Sequence, residues 1–209
     1  MTAAEFVPDG VGIDGLAAAA LGCRGCELHG PATQTVFSKG SPTARVVLVG
    51  EQPGDQEDKQ GAPFVGPAGQ LLNKALAEVG IAPADCYVTN AVKHFRFTQA
   101  GEGQRRIHQT PEARHVEACR PWLLAELGVL DPQVVVCLGA TAGRALLGPS
   151  FRVTKQRGQL IPWPDATVGS GSAWLVPTVH PSAVLRADDR DAAYSGLVAD
   201  LRVAADALT

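Results

Sequence analysis

Three unbroken apolar runs constrain this chain more than any other feature: RVVLVG at 45–50, QVVVCLG at 133–139 and AWLVPTV at 173–179. They are rich in β-branched residues and do not alternate with polar ones, the pattern of strands buried on both faces. A shorter strand is expected at 87–90 (YVTN). Helical patterns lie between the strands. At 67–80, Leu71, Leu72, Ala75, Leu76 and Val79 form one stripe, with proline at the start and glycine at the end. Thr110 and Pro111 predict the opening of a helix that runs to about residue 127. Further helices are expected at 13–22, 140–147 and 191–208. Strands alternating with helices predict an α/β fold with a parallel sheet covered on both faces. Ligands of such sheets bind beyond the carboxyl ends of the strands. The segments leaving those ends are 51–66, 90–110, 140 onward and 180–182.

At 209 residues, one domain is expected. With 45% apolar and 19% charged residues, the composition is not that of a disordered chain. No run approaches the length of a membrane span, and the first residues lack the basic start of a secretory signal. A cytoplasmic protein with no membrane partner is the expectation. Five cysteines, an odd number in a chain without an export signal, speak for metal binding or buried thiols over disulfides.

The net charge of −3 excludes a bulk nucleic-acid coat protein, but the charge is uneven. Segment 93–120 carries six basic residues against three acidic ones, and 150–160 carries Arg152, Lys155 and Arg157 with no acid. The rest is strongly acidic. Two basic loops on an acidic body suit a local phosphate site, and the plain alternative is two solvated loops.

Four groups of residues carry chemistry. The first is GEQPGDQED at 50–58, followed by GAPFVGPAG at 61–69. Here a buried strand delivers Glu51, Gln52 and Asp55 into a loop whose N–H groups can cradle an anion. Phe64 is a candidate platform for a flat ligand. The second is His180, at the end of the last strand, able to donate to a developing anion. The third is RRIH at 105–108, where Arg105 and Arg106 can grip phosphate and His108 can act as a nucleophile. The fourth is the Cys23-x-x-Cys26 pair, half of a zinc or iron–sulfur site. Its remaining ligands would come from Cys119, Cys86, Cys137, His94 and His29.

Seven segments appear in order: CRGC at 23–26, GEQPG at 50–54, PFVGPAG at 63–69, YVTNAVK at 87–93, ACRPWL at 118–123, VVVCLGATA at 134–142 and TVHPS at 178–182. Together they resemble the uracil-DNA glycosylase superfamily, most closely its iron–sulfur family-four branch. RRIH in an extended loop points within that branch to the UdgX proteins. Gln104 stands where those proteins usually carry lysine, and His94 stands where ordinary family-four sequences place a cysteine.

The resemblance implies a three-layer αβα sandwich around a four-stranded parallel sheet. The implied substrate is uracil in DNA, with single strands preferred and a monomer expected. It implies that Glu51, Gln52, Gly54 and Asp55 form the catalytic first motif and that Phe64 stacks on uracil. Asn90 would read the base edge and His180 would face the uracil oxygen. Arg105, Arg106 and Ser182 would meet the DNA, with the 152–157 loop adding backbone contacts. A [4Fe–4S] cluster would be held by Cys23, Cys26, His94 and Cys119. Finally, it implies that His108 attacks C1′ and leaves a covalent adduct, so that the protein acts once. Three competing readings are an ordinary hydrolytic glycosylase, a non-catalytic sensor of uracil or abasic sites, and a zinc or iron–sulfur nucleotide-binding protein unrelated to repair.

Overall fold

The computed structural model describes residues 2–101, 103–164 and 169–208. Glu102, counted in the first basic segment, lies outside them. The strands are β1 (Ser38–Gly40), β2 (Val46–Gly50), β3 (Cys86–Asn90), β4 (Phe97–Thr98), β5 (Ile107–His108), β6 (Val134–Leu138), β7 (Ile161–Pro162) and β8 (Trp174–Thr178). The helices are α1 (Ile13–Ala20), α2 (Asp55–Gln60), α3 (Pro67–Glu78), α4 (Ala113–Leu130), α5 (Ala140–Leu147), α6 (Val153–Gln156), α7 (Pro181–Leu185) and α8 (Arg190–Asp206).

The main sheet has the order β1-β3-β2-β6-β8-β7. Its centre is the expected parallel set: β2 pairs in parallel with β3 and β6, and β6 with β8. Two short antiparallel edges, β1 on β3 and β7 on β8, extend it to six strands. Neither edge carries a hydrophobic pattern, so the sequence alone does not predict them. Pro177, inside β8, also has a local reason. Its carbonyl accepts from the Gly158 N–H at 2.8 Å, so that side of β8 faces a loop instead of a ladder that would need the missing N–H.

Alternation along each strand divides the core. Val46, Leu48, Val134, Val136 and Val176 pack with Leu72, Leu76, Leu197 and Leu201 of α3 and α8. Val47, Val49, Val135, Cys137 and Leu175 pack on the other face with Leu123, Leu127, Ala142 and Leu146 of α4 and α5. The result is a helix–sheet–helix sandwich. Among the described residues no helix is long and apolar enough to cross a membrane.

Three local expectations change. α4 starts at Ala113, behind a box in which the Glu112 N–H donates to His115 Nδ1, and it runs through Pro121 to Leu130. The loop after β2 contains α2, whose sequence DQEDKQ has no apolar stripe to betray a helix. The 93–110 segment forms the small β4–β5 ribbon, pairing Phe97 with His108 and Thr98 with Ile107.

Candidate active site

The carboxyl ends of β2, β3 and β8 open into one cleft of about 580 Å³, lined by Glu51, Asn90 and His180 from those ends, by Glu57 of α2, by Phe64 from the loop after it and by His108 of β5. Gly50 closes β2. A Cβ there would stand 2.3 Å from Asn90 Oδ1 and 2.8 Å from the Phe64 ring, so only glycine lets the two side chains approach. Asn90 is buried, and its Oδ1 has no hydrogen-bond partner among the described residues. Leaving such an acceptor unmet costs about 1–3 kcal/mol, which a ligand donor would recover.

Phe64 adopts a left-handed backbone conformation, φ 55°, that a bulky residue rarely holds. Glu57 holds it there. The Glu57 carboxylate accepts the Gly54 N–H and lies on the backbone N–H groups of Phe64 and Val65, so it ties both arms of the loop. Burial raises its pKa, and those N–H groups work against the rise. The Phe64 ring lies 5.8 Å from the His180 ring, centroid to centroid.

His180 is neutral and its tautomer is fixed. Burial, with Arg186 and His108 nearby, pushes its pKa down to about 4. Its Nδ1 accepts the Ser182 N–H at 3.2 Å and lies 2.8 Å from Ser182 Oγ, so the proton belongs to Nε2. Ser182 therefore sets the histidine's donor.

Glu51 is held from two sides. Thr141 Oγ1 donates to its Oε2 at 2.5 Å, and His108 Nε2 lies 3.5 Å from its Oε1. His108 also packs 6.0 Å from the Phe95 ring.

Two residues of the first motif have side chains engaged within the protein. The Gln52 side chain is taken up by the backbone of the ribbon. Its Oε1 accepts the Arg96 N–H at 2.9 Å, and its Nε2 donates to the carbonyls of Arg96 at 3.2 Å and Gln109 at 3.0 Å. Asp55 lines the cleft, but its carboxylate takes Lys59 Nζ and Arg106 Nε, each at 2.6 Å. The Lys59 bond and then Arg106 hold its pKa low.

Arg106 has partners within the protein. Its side chain is only 11% exposed, and Nη1 donates at 2.6 Å to Asp58, which is fully buried. The guanidinium lies 5.3 Å and 4.9 Å over the Phe95 and Phe97 rings. It pins the ribbon to α2. Arg105, its neighbour, is exposed and makes no side-chain hydrogen bond or ion pair among the described residues. The 152–157 loop does not line the cleft either. Arg157 pairs with Asp200 at 2.8 Å, and Arg152 donates to the carbonyls of Pro149 and Phe151.

Three functional positions escaped the sequence reading: Thr141, Glu57 and Arg186, the last an exposed cation at the rim of the cleft. Signals existed for each. Thr141 follows a strand end, Glu57 lies in the acidic loop, and Arg186 sits four residues beyond Ser182.

Of the expected metal ligands, Cys23, Cys26 and Cys119 gather in one apolar cluster with Trp122 and Phe37. Trp122 Nε1 donates to Cys23 Sγ at 3.2 Å, and the Lys93 N–H to Cys119 Sγ at 3.3 Å. N–H donors of this kind suit thiolates bound to iron. Cys86 and Cys137 belong instead to the two faces of the sheet. His94 is buried, with Nε2 3.0 Å from Thr35 Oγ1, a bond it would exchange for a metal. Among the described residues no three His, Cys, Asp or Glu groups form a site for a single metal ion. A [4Fe–4S] cluster takes each ligand on a different iron, so the three gathered cysteines fit such a cluster better than a lone ion.

Residues 37–202 match the Uracil DNA glycosylase superfamily. Proteins named Type-4 uracil-DNA glycosylase are similar over most of the chain. The one from Thermotoga maritima is 39% identical, covering 78% of each chain. That from Archaeoglobus fulgidus is 36% identical, covering 83% of each. That from Pyrobaculum aerophilum is 34% identical, covering 78% of this chain and 80% of its own. The cleft at the strand ends, with its carboxylate, aromatic, amide and neutral histidine, thus lies inside the matched span, and the chain belongs to the uracil DNA glycosylase superfamily.

Proposed function

We propose that this uracil-DNA glycosylase acts once per molecule, excising uracil from single-stranded DNA and ending covalently linked through His108 to C1′ of the abasic site. The observation that carries the reading is His108 Nε2 at 3.5 Å from Glu51 Oε1, at the mouth of a cleft whose floor is an unmet amide acceptor.

Uracil turns out of the strand, at a cost of a few kcal/mol, and stacks on Phe64. The Asn90 amide offers a donor and an acceptor to its edge. With the Gln52 side chain engaged by the ribbon, further contacts fall to the backbone of 51–54. The C1′–N1 bond breaks through an oxocarbenium-like state, and the bonding pair leaves with uracil. The His180 Nε2–H donates to the uracil anion, and Glu51 offsets the sugar cation. The His108 lone pair then bonds to C1′, and the surplus imidazole proton passes to the carboxylate beside it. A tethered nucleophile outcompetes water through its effective concentration. Arg105 and Arg186 are exposed cations that can meet flanking phosphates.

Cys23, Cys26, Cys119 and His94 would hold a [4Fe–4S] cluster, which when bound would tie the N-terminal segment, the turn after β3 and α4 together. His94→Ala or Cys119→Ala should bleach the visible absorption, while Cys86→Ala keeps it. A cytoplasmic monomer completes the reading.

The test is a labelled single-stranded uracil oligonucleotide run on a denaturing gel. Wild type should give a retarded one-to-one band, and His108→Ser should lose the band and turn over alkali-labile product. Turnover by wild type would favour the hydrolytic glycosylase, and neither product would favour a sensor.

A further inference from the structure

The Glu51 carboxylate is flanked by two groups, and one of them has no place in the chemistry above. Thr141 is the second residue of α5 and is nearly buried. Its hydroxyl donates to Glu51 Oε2 at 2.5 Å. The other oxygen, Oε1, is the one that faces His108.

We propose that Thr141 is a positioning residue for uracil excision, fixing the Glu51 carboxylate so that one oxygen stays turned toward the sugar and His108. This rests on reading Glu51 as the carboxylate that supports cleavage.

Glu51 leaves a strand end with rotatable bonds to its carboxylate, and among the described residues the side chains of Thr141 and His108 flank its oxygens. The His108 contact is long and comes from a ribbon joined to the body by polar bonds. The Thr141 contact is a direct hydrogen bond and comes from the sandwich itself. Gly139, with φ 93°, turns β6 sharply into α5 and so places Thr141 against the end of β2. The same glycine lies against His180, whose Cβ is 3.1 Å from where a Gly139 Cβ would stand. One turn therefore sets the support of Glu51 and the seat of the second catalytic group. A carboxylate that must face a developing cation gains from being held before the cation forms. Thr141 touches no substrate in this scheme and acts through Glu51.

The test measures single-turnover release of uracil, and separately the affinity for uracil DNA, in Thr141→Val, Thr141→Ser, Glu51→Ala and the double variant Thr141→Val/Glu51→Ala. Thr141→Val keeps the shape and removes the donor. Cleavage should fall about ten- to hundredfold with affinity unchanged. Thr141→Ser keeps the hydroxyl and should restore the rate. In the Glu51→Ala background, Thr141→Val should cost nothing further, since the partner is gone. Should Thr141→Val fail to fold, Thr141→Cys, with a similar size and a weak donor, should show a partial loss. A wild-type rate in Glu51→Ala would sink the reading of Glu51 itself. A slow Glu51→Ala beside an unaffected Thr141→Val would overturn the positioning role alone. Losses that multiply fully in the double variant would also overturn it.

Discussion

The cleft has two kinds of wall, built by different physics. Glu51, Asn90 and His180 stand at the ends of strands whose residues are locked between two apolar layers. His108 stands on a ribbon outside those layers, held by Arg106 on Asp55 and Asp58, by Gln52 on the ribbon backbone and by Phe95 and Phe97. The strand ends take their geometry from buried area, which has no directional requirement. The ribbon takes its geometry from directed polar bonds. Removing one side chain of the ribbon's anchor should therefore displace His108 and leave Asn90 and His180 in place.

Arg106→Ala should break this contrast most sharply. It leaves Asp58 buried and unpaired, which costs about 3–5 kcal/mol of stability, read from urea unfolding. Adduct formation should fall much further than uracil release. An equal loss of both would mean that the ribbon and the strand ends are one unit.

His180→Ala should do the reverse. Losing a preorganised donor to the leaving anion costs about 10²–10³ in cleavage rate. Adduct yield would fall in the same proportion, because it follows cleavage. A full cleavage rate in this variant would move the anion's donor elsewhere.

Acid sharpens the comparison at the strand-end wall. His180 titrates near 4 when folded, against an ordinary value of 6.5. Above 6.5 both folded and unfolded forms are neutral, and its contribution to stability is complete. Between 6.5 and 4 the unfolded chain takes up a proton that the folded one refuses, so stability falls by up to about 1.4 kcal/mol per pH unit. Denaturation midpoints measured across that window should drop in wild type and drop less in His180→Gln. Wild type and variant falling in parallel would contradict the assignment.

The smallest effects separate the arginines. Arg105→Ala and Arg186→Ala should each reduce the slope of log affinity against log salt by about 0.7 for single-stranded DNA. Arg157→Ala should leave that slope alone and lower stability, because its partner is Asp200. A slope that changes with Arg157 and not with Arg105 would reverse the two assignments.

Much of this could be read directly. RVVLVG, QVVVCLG and AWLVPTV became β2, β6 and β8, and Glu51 and His180 emerge where strand ends predict a site. Asn90 and Phe64 fell in the same cleft. The elements that were not legible, α2, β1, β7 and the ribbon, lack apolar periodicity, so no burial pattern announces them. The carboxylate partners of Arg106 were not legible for a related reason. An arginine beside another arginine and a histidine looks the same in sequence whether its partner is a phosphate or a buried carboxylate from another segment.

The sequence by itself determined the parallel sheet, its two covering layers and the edge at which the site lies, because apolar runs admit few burials and strand ends follow from them. Only the tertiary structure decided which polar groups face one another across that edge. Thr141 meets Glu51 from 90 residues away and Arg106 meets Asp58 from 48. Such pairings depend on direction and distance between separate segments, and no local pattern of residues encodes either.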